Sequence, residues 1–135
     1  MAESIRLEVV TPEKSVVSES VQIVMAPGSM GEFGVLSGHT PFLTTLKTGA
    51  LKYKDESGRE RFVFVSSGFA EALPDRVTVL AESAERRKDI DLQRAKSAVE
   101  RAEKRLQSGD RDVDYIRAKA ALLRTISRIQ LAQTH

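Results

Sequence analysis

A chain of 135 residues buries roughly 65 to 70% of its unfolded surface, enough for one compact domain with an appendage and too little for two full domains. Twenty-one Lys and Arg against 19 Asp and Glu leave a formal charge of +2, which gives no strong push toward nucleic acid. Cysteine is absent, which excludes disulfides and thiolate metal sites and fits a reducing compartment.

The N-terminal stretch MAESIRLEVV carries Arg6 but no apolar run of signal-peptide length, and nowhere do roughly 18 apolar residues follow one another. The expectation is a chain that stays in water unless a partner holds it at a membrane.

From Ile5 to about Leu80 the apolar pattern is short and strand-like. Ile5, Leu7 and Val9 alternate with Arg6 and Glu8, and Val21-Gln22-Ile23, Leu51-Lys52-Tyr53 and Val77-Thr78-Val79 repeat the period of two. Turn signals at Thr11-Pro12, Pro27-Gly28, Asp55-Glu56-Ser57-Gly58 and Leu73-Pro74-Asp75 separate them. This predicts an antiparallel β-sandwich, with Phe62, Val63, Phe64 and Val65 as a fully buried strand.

Within that half, GSMGEFGVLSGHTPF at 28–42 places glycines at 28, 31, 34 and 38. The spacing is neither G-x-G-x-x-G nor G-x-x-x-x-G-K-[ST], and no long helix follows to supply a dipole, so a phosphate loop is poorly supported. The glycines suit positive-φ positions at bulges and turns, and Thr40-Pro41 an extended bend. His39 has no nucleophile placed by a recognisable motif, and the only other histidine is His135, so triad and metal chemistry lack partners. Glu32 and His39, held on a rigid turn at an end of the sandwich, are placed to touch a partner.

After Glu85 glycine and proline give way to Ala, Arg, Lys, Glu and Leu, and the period becomes helical. Leu92, Ala95, Val99, Ala102 and Leu106 mark one face. Ser108-Gly109-Asp110 breaks the helix, with Gly109 suited to the left-handed position after it and Asp110 or Asp112 to capping the next. Tyr115, Ala118, Leu122, Ile126 and Ile129 mark the second helix, and so short a break predicts an antiparallel two-helix hairpin. Small residues at 95, 98, 102 and 118 allow close approach and leave a thin core. The fold class is therefore β plus α, with a sandwich over 1–84 and a helical hairpin over 85–135.

Arg94, Arg101 and Arg105 are spaced by seven and four, as are Arg117, Arg124 and Arg128. Each set forms one helical stripe. A solvated face is the plain reading, with Glu100 beside Lys104 and Asp114 beside Arg117. However, Arg101–Arg105 and Arg124–Arg128 are like-charged i,i+4 pairs, each destabilising by a few tenths of a kcal/mol unless an anion is near. Polyphosphate, an acidic protein loop and nucleic acid all remain open on this pattern. A nucleic-acid-binding hairpin would need interleaved stacking aromatics, and the helical half offers only Tyr115.

PGSMGEFGVLSGHTPFLTTLKTGAL at 27–51, SSGFAE at 66–71, VTVLAESAERRKDID at 77–91, then RAKSAVERAEKRL and VDYIRAKAALLR, occur in an order that resembles the ε subunit family of bacterial F-type ATP synthase over essentially the whole chain. That resemblance implies a non-catalytic rotor subunit, bound to γ and the c-ring, that couples proton flow to ATP synthesis. It implies no required cofactor, no nucleic-acid partner, and membrane contact only through the complex at the cytoplasmic face of the bacterial plasma (inner) membrane. The family's helices can extend along γ toward the α and β subunits and suppress hydrolysis. In ATP-binding members the nucleotide favours the folded hairpin through an I-D-x-x-R-A motif, here Ile90, Asp91, Arg94 and Ala95, with Arg101, Arg124 and Arg128 at later matching positions and Glu85 at an acidic one. Glu32 and His39 match positions that face the c-ring.

Overall fold

The computed structural model describes residues 3–109 and 114–133. Seven strands come first: β1 (Ile5–Val10), β2 (Ser15–Gly28), β3 (Gly31–Val35), β4 (Phe42–Leu46), β5 (Gly49–Asp55), β6 (Glu60–Leu73) and β7 (Arg76–Arg86). Two helices follow, α1 (Leu92–Gln107) and α2 (Tyr115–Gln133). The chain divides into two compact units, Met1–Arg87 and Lys88–His135. The expected β-sandwich followed by two C-terminal helices is thus found.

In the first unit β2 and β6 are the long strands, and each serves two neighbours along one edge. β2 pairs β1 over Ser15–Val21 and β3 over Val24–Gly28, with β5 on its other edge. β6 pairs β5 over Glu60–Val65, then β4 over Gly68–Ala72, with β7 along its opposite edge. β1 joins β7 as well as β2, so β1, β2, β5, β6 and β7 close into a ring without free edges. The β1–β7 pair is parallel, whereas the other pairings are antiparallel. Local alternation cannot announce a pairing between strands this distant in sequence; it follows from the advantage of covering two open edges with each other.

Ile5, Leu7, Val9, Leu51, Tyr53, Val77 and Val79 all face the core, as their alternation predicts. Val21 and Ile23 do not share a face as the alternation suggested. A bulge between them shifts the register against β5, so the inward set runs Val17, Val21, Val24, Ala26, and Ile23 is half-buried. β6 changes phase too: Val63 and Val65 are inward before the corner, Ala70 and Ala72 after it. Phe64 is also buried, while Phe62 is half-buried beneath the Arg87 guanidinium, 4.4 Å from the ring centroid.

The β6 corner lies at Ser67 (φ 41°) and Gly68 (φ 142°), both left-handed, with the Ser67 hydroxyl donating to Glu82 Oε2 at 3.0 Å. A Cβ on Gly68 would run into the Leu80 carbonyl oxygen and sit 2.8 Å from Ala81 Cα. Two of the four glycines in 28–38, Gly31 and Gly38, have the positive φ expected of them.

In the second unit the predicted apolar faces hold except at one end. Leu92, Val99, Ala102 and Leu106 of α1 and Ala118, Leu122, Ile126 and Ile129 of α2 are half-buried, but Tyr115 is 46% exposed. It stands on the first turn, where the seam has not yet begun. Ser108 closes α1, its hydroxyl donating to Arg105 O at 2.8 Å, and Gly109 takes the left-handed position at φ 67°. Asp110 and Asp112 lie outside the described residues; Asp114 caps α2, accepting from Arg117 N at 3.1 Å.

The corner yields a graded prediction. Gly58 is also left-handed, at φ 86°, but nothing stands within 4 Å of a Cβ there. Gly58→Ala should destabilise by about 1 kcal/mol, the conformational term alone, whereas Gly68→Ala should exceed roughly 3 kcal/mol in denaturant unfolding. Equal losses would show that the β6 corner has room after all.

Candidate functional site

The I-D-x-x-R-A motif forms the start of α1. Asp91 is its N-cap: one carboxylate oxygen accepts from Arg94 N at 3.0 Å, and the Asp91 carbonyl accepts from Ala95 N at 3.0 Å. Ile90 and Ala95 are buried, Ala95 to 1% exposure, so neither presents open surface to a ligand in this conformation. Arg94 is exposed and shares the helix face of Arg101 and Arg105, seven and eleven residues further on.

Within the hairpin a groove of about 240 Å³ runs between Ala98, Arg101, Ala102 and Arg105 of α1 and Ala118, Ala121 and Thr125 of α2. Its existence follows from side-chain size. Four alanines line it, and each lacks the bulk that would bring the helices into full contact. The volume lies below the roughly 300–1,000 Å³ usual for an enclosed small-molecule pocket. It suits the charged, slender end of a ligand better than a whole nucleotide. Thr125 Oγ1 donates to Ala121 O at 2.8 Å, so toward a ligand this hydroxyl can only accept.

The guanidinium groups give the groove its chemistry. Among the described residues Arg94, Arg101, Arg105, Arg117 and Arg124 form no ion pair, and neither Glu100–Lys104 nor Asp114–Arg117 is joined by one. The arginines are exposed, as a solvated face requires, but the ion pairs that the sequence allowed on it do not form among the described residues. Arg124 and Arg128 are not among the residues that line the groove; each lies three positions, about one helical turn, beyond a lining residue of α2, Ala121 and Thr125 respectively. Arg124 is exposed and Arg128 half-buried. Glu85 is half-buried on β7, in the first unit. The groove adds Arg105 and Thr125 to the candidate residues. Arg105 was legible as the i+4 neighbour of Arg101, whereas no sequence signal pointed to Thr125.

Glu32 and His39 do not share one turn. Glu32 is exposed near the start of β3, beside the two-residue turn Ser29–Met30, and His39 lies in the loop beyond the end of β3. An extended strand between them keeps them apart. The His39 imidazole is braced from within: Nδ1–H donates to Thr40 O at 2.7 Å, and the ring centroid lies 5.2 Å from that of Phe42, which meets Phe33 edge to face at 4.9 Å. Nε2 is left for a partner.

Among the described residues no group of three His, Cys, Asp or Glu could hold a metal ion, and no helix is long and apolar enough to cross a membrane.

Both units match known families. Residues 4–87 match the ATP synthase, Delta/Epsilon chain, beta-sandwich domain, and residues 88–133 the ATP synthase, Delta/Epsilon chain, long alpha-helix domain. The chain is 72% identical over 109 residues to an ATP synthase epsilon chain of Desulfosudis oleivorans, spanning 81% of this chain and 82% of that one. It is 68% identical over 108 residues to that of Desulfatibacillum aliphaticivorans, spanning 80% and 77%. A chain in the mitochondrial ATP synthase of Euglena gracilis, solved with OSCP, F1 and c-ring, superposes with a TM-score of 0.77 at 28% identity, over 98% of this chain and 82% of that one. A chain of the Tetrahymena thermophila mitochondrial ATP synthase central stalk and c-ring shares the fold, with a TM-score of 0.55 at 17% identity. Such a sandwich with a helical pair defines a small subunit of a rotary ATP synthase, distinct from the catalytic one. The chain belongs to the ATP synthase delta/epsilon family and, within it, to the epsilon chains.

The capping geometry separates two roles for Asp91. Asp91→Ala should lower hairpin stability by about 1 kcal/mol, while Asp91→Asn, also a good cap, should be nearly neutral in a helical melt followed by circular dichroism. Equal losses for both would give the carboxylate charge a role beyond the cap.

Proposed function

We propose that the chain is a non-catalytic rotor subunit whose sandwich seats it on γ and the c-ring and whose hairpin restrains ATP hydrolysis, with ATP as a regulatory ligand and no required cofactor. The observation that carries the regulatory half is the groove: two guanidinium groups, Arg101 and Arg105, stand over an alanine floor with no carboxylate paired to either among the described residues. A polyphosphate would relieve that repulsion. In this reading Arg94, Arg101, Arg124 and Arg128 supply charge to the phosphates, Ile90, Asp91 and Ala95 frame the adenine, and Glu85 contributes an acidic group. Because Ile90 and Ala95 are already buried, the adenine end requires the start of α1 to open, while the phosphate end does not.

The assembly half is supported by the outer surface of the sandwich. Phe69 on β6 lies directly across from Leu80 on β7 and diagonal to Leu43 on β4, and all three are more than half exposed. An apolar row across three strands suits burial against a protein. We assign it to γ, and the β3 edge bearing Glu32 and the His39 loop to the c-ring. The similar chain from Euglena gracilis, found in a complex with F1 and c-ring, supports a place for this chain in such a complex. The complex would hold the chain peripherally at the cytoplasmic face of the bacterial plasma membrane, with α and β within reach of the helices.

ATP that binds only the folded hairpin should stabilise it by about 2.7 kcal/mol at a hundred times Kd. Calorimetry and thermal melts should show this for the native chain. Replacing Arg101 and Arg124 by Gln should abolish it without unfolding the sandwich. No ATP binding at millimolar nucleotide would turn the arginines over to an acidic protein loop.

In the assembled complex, a chain ended after Arg87 should still support ATP synthesis while ATP hydrolysis rises. Unchanged hydrolysis under inhibiting conditions would refute the regulatory role.

A further inference from the structure

Arg86 holds the end of β7 to two other strands. Its Nε donates to Val16 O on β2 at 3.0 Å, Nη1 to the Tyr53 hydroxyl on β5 at 3.4 Å, and Nη2 lies 3.9 Å from Glu19 Oε2 on β2. The Tyr53 phenol is itself locked: burial first, and then its hydrogen bond to Glu19, push its pKa up to about 12. On β6, Val63 pairs with Arg86, and the next residue, Arg87, covers the Phe62 ring. The last two residues of the first unit are therefore fastened to β2, β5 and β6 together. At the other side of the junction Asp91 is fastened to α1 by both its carboxylate and its carbonyl.

We infer that Arg86 and Arg87 are a mechanical stop, ending the rigid sandwich and confining all bending of the chain to Lys88, Asp89 and Ile90. The geometry of the fork explains why the stop is an arginine. One planar group reaches a carbonyl, a phenol and a carboxylate from three separate nitrogens on a single stem, whereas a lysine ammonium offers its three donors from one compact centre. Four residue steps separate Arg87 from Asp91, so the tether reaches at most roughly 14 Å. Were Ala84–Arg87 to peel from β6, four more residues would join the tether and its reach would about double. The 3-10 turn that starts at Arg87 and ends at Asp89 leaves Lys88 and Asp89 suited to bending, since its hydrogen bonds are the weaker kind. A short tether keeps a moving hairpin in one arc. The inference rests on the regulatory reading for that purpose alone; where the hinge lies follows from the contacts within the sandwich.

Amide hydrogen exchange on the full chain, without nucleotide or partner subunits, tests it. In the native chain residues 84–87 should be protected like the core of β7, and 88–90 should exchange fastest between the two units. Arg86→Met, which keeps the stem and removes the fork, should speed exchange at 84–87 by roughly tenfold or more while Leu51 and Val79 stay protected. Arg86→Lys should fail to restore protection, and Tyr53→Phe, which removes one hydroxyl only, should give a smaller change in the same direction. If Arg86→Met does not fold, Tyr53→Phe carries the test alone. Native exchange at 84–87 as fast as at 88–90, or full protection there in a folded Arg86 or Tyr53 variant, would overturn the stop. Neither result touches ATP binding or hydrolysis, so the two proposals fail separately.

Discussion

Side chains along a β-strand alternate with a period of two, and nothing within a straight strand can change which set faces inward. β2 and β6 are each 14 residues long and each passes between two sets of neighbours, so a straight course would turn the second half of each strand inside out. The sandwich therefore depends on two places where the phase is reset, the bulge after Val21 and the left-handed pair Ser67–Gly68. Magnitudes show why strain is tolerated there. A non-glycine residue at positive φ costs about 1–2 kcal/mol, whereas a buried Val or Leu side chain is worth about 1.5–3 kcal/mol. Resetting β2 alone keeps both Val24 and Ala26 inward. The corner is favourable as soon as it saves more than one large side chain.

This constraint marks where the sequence could be read and where it could not. Alternation within a short strand is local, so Ile5, Leu7 and Val9 announced their face, and the helical faces of α1 and α2 were legible for the same reason. Phase resets depend on backbone torsions between segments. Nothing in Val21-Gln22-Ile23 distinguishes a bulge from an unbroken strand. The parallel pairing of β1 with β7 and the fork of Arg86 onto Val16, Tyr53 and Glu19 join residues tens of positions apart, beyond any periodicity. In the site, charge spacing revealed the arginine stripes, but the groove beneath them depends on how closely two helices approach. Cap choice was ambiguous because several aspartates cluster ahead of α2, and Asp114 is the one in register with Arg117 N.

The two units solve opposite problems. The sandwich closes five of its strands into a ring and buries large β-branched side chains, so its contacts support one arrangement. The hairpin has alanine where a stable helical pair would carry leucine, and within it Ala95 and Leu131 are the buried residues of α1 and α2. Filling the groove with leucines would gain roughly 1–2 kcal/mol for each side chain buried, but it would also exclude the space beside Arg101 and Arg105. Thin packing and an open groove beside two arginines are thus the same choice of residues seen twice.

That choice decides how strongly a ligand can act. A ligand shifts an equilibrium only by its differential affinity for the two states, so an element held by many kcal/mol of packing would ignore it. In a hairpin whose groove is floored by alanines, the like-charged pair Arg101–Arg105 beside it costs a few tenths of a kcal/mol, and a bound anion would act on that term. A fixed stop at Arg86–Arg87 would complement this arrangement: it leaves the sandwich outside the equilibrium, so that what the ligand changes is spent on the hairpin and not on loosening the strands to which it is attached.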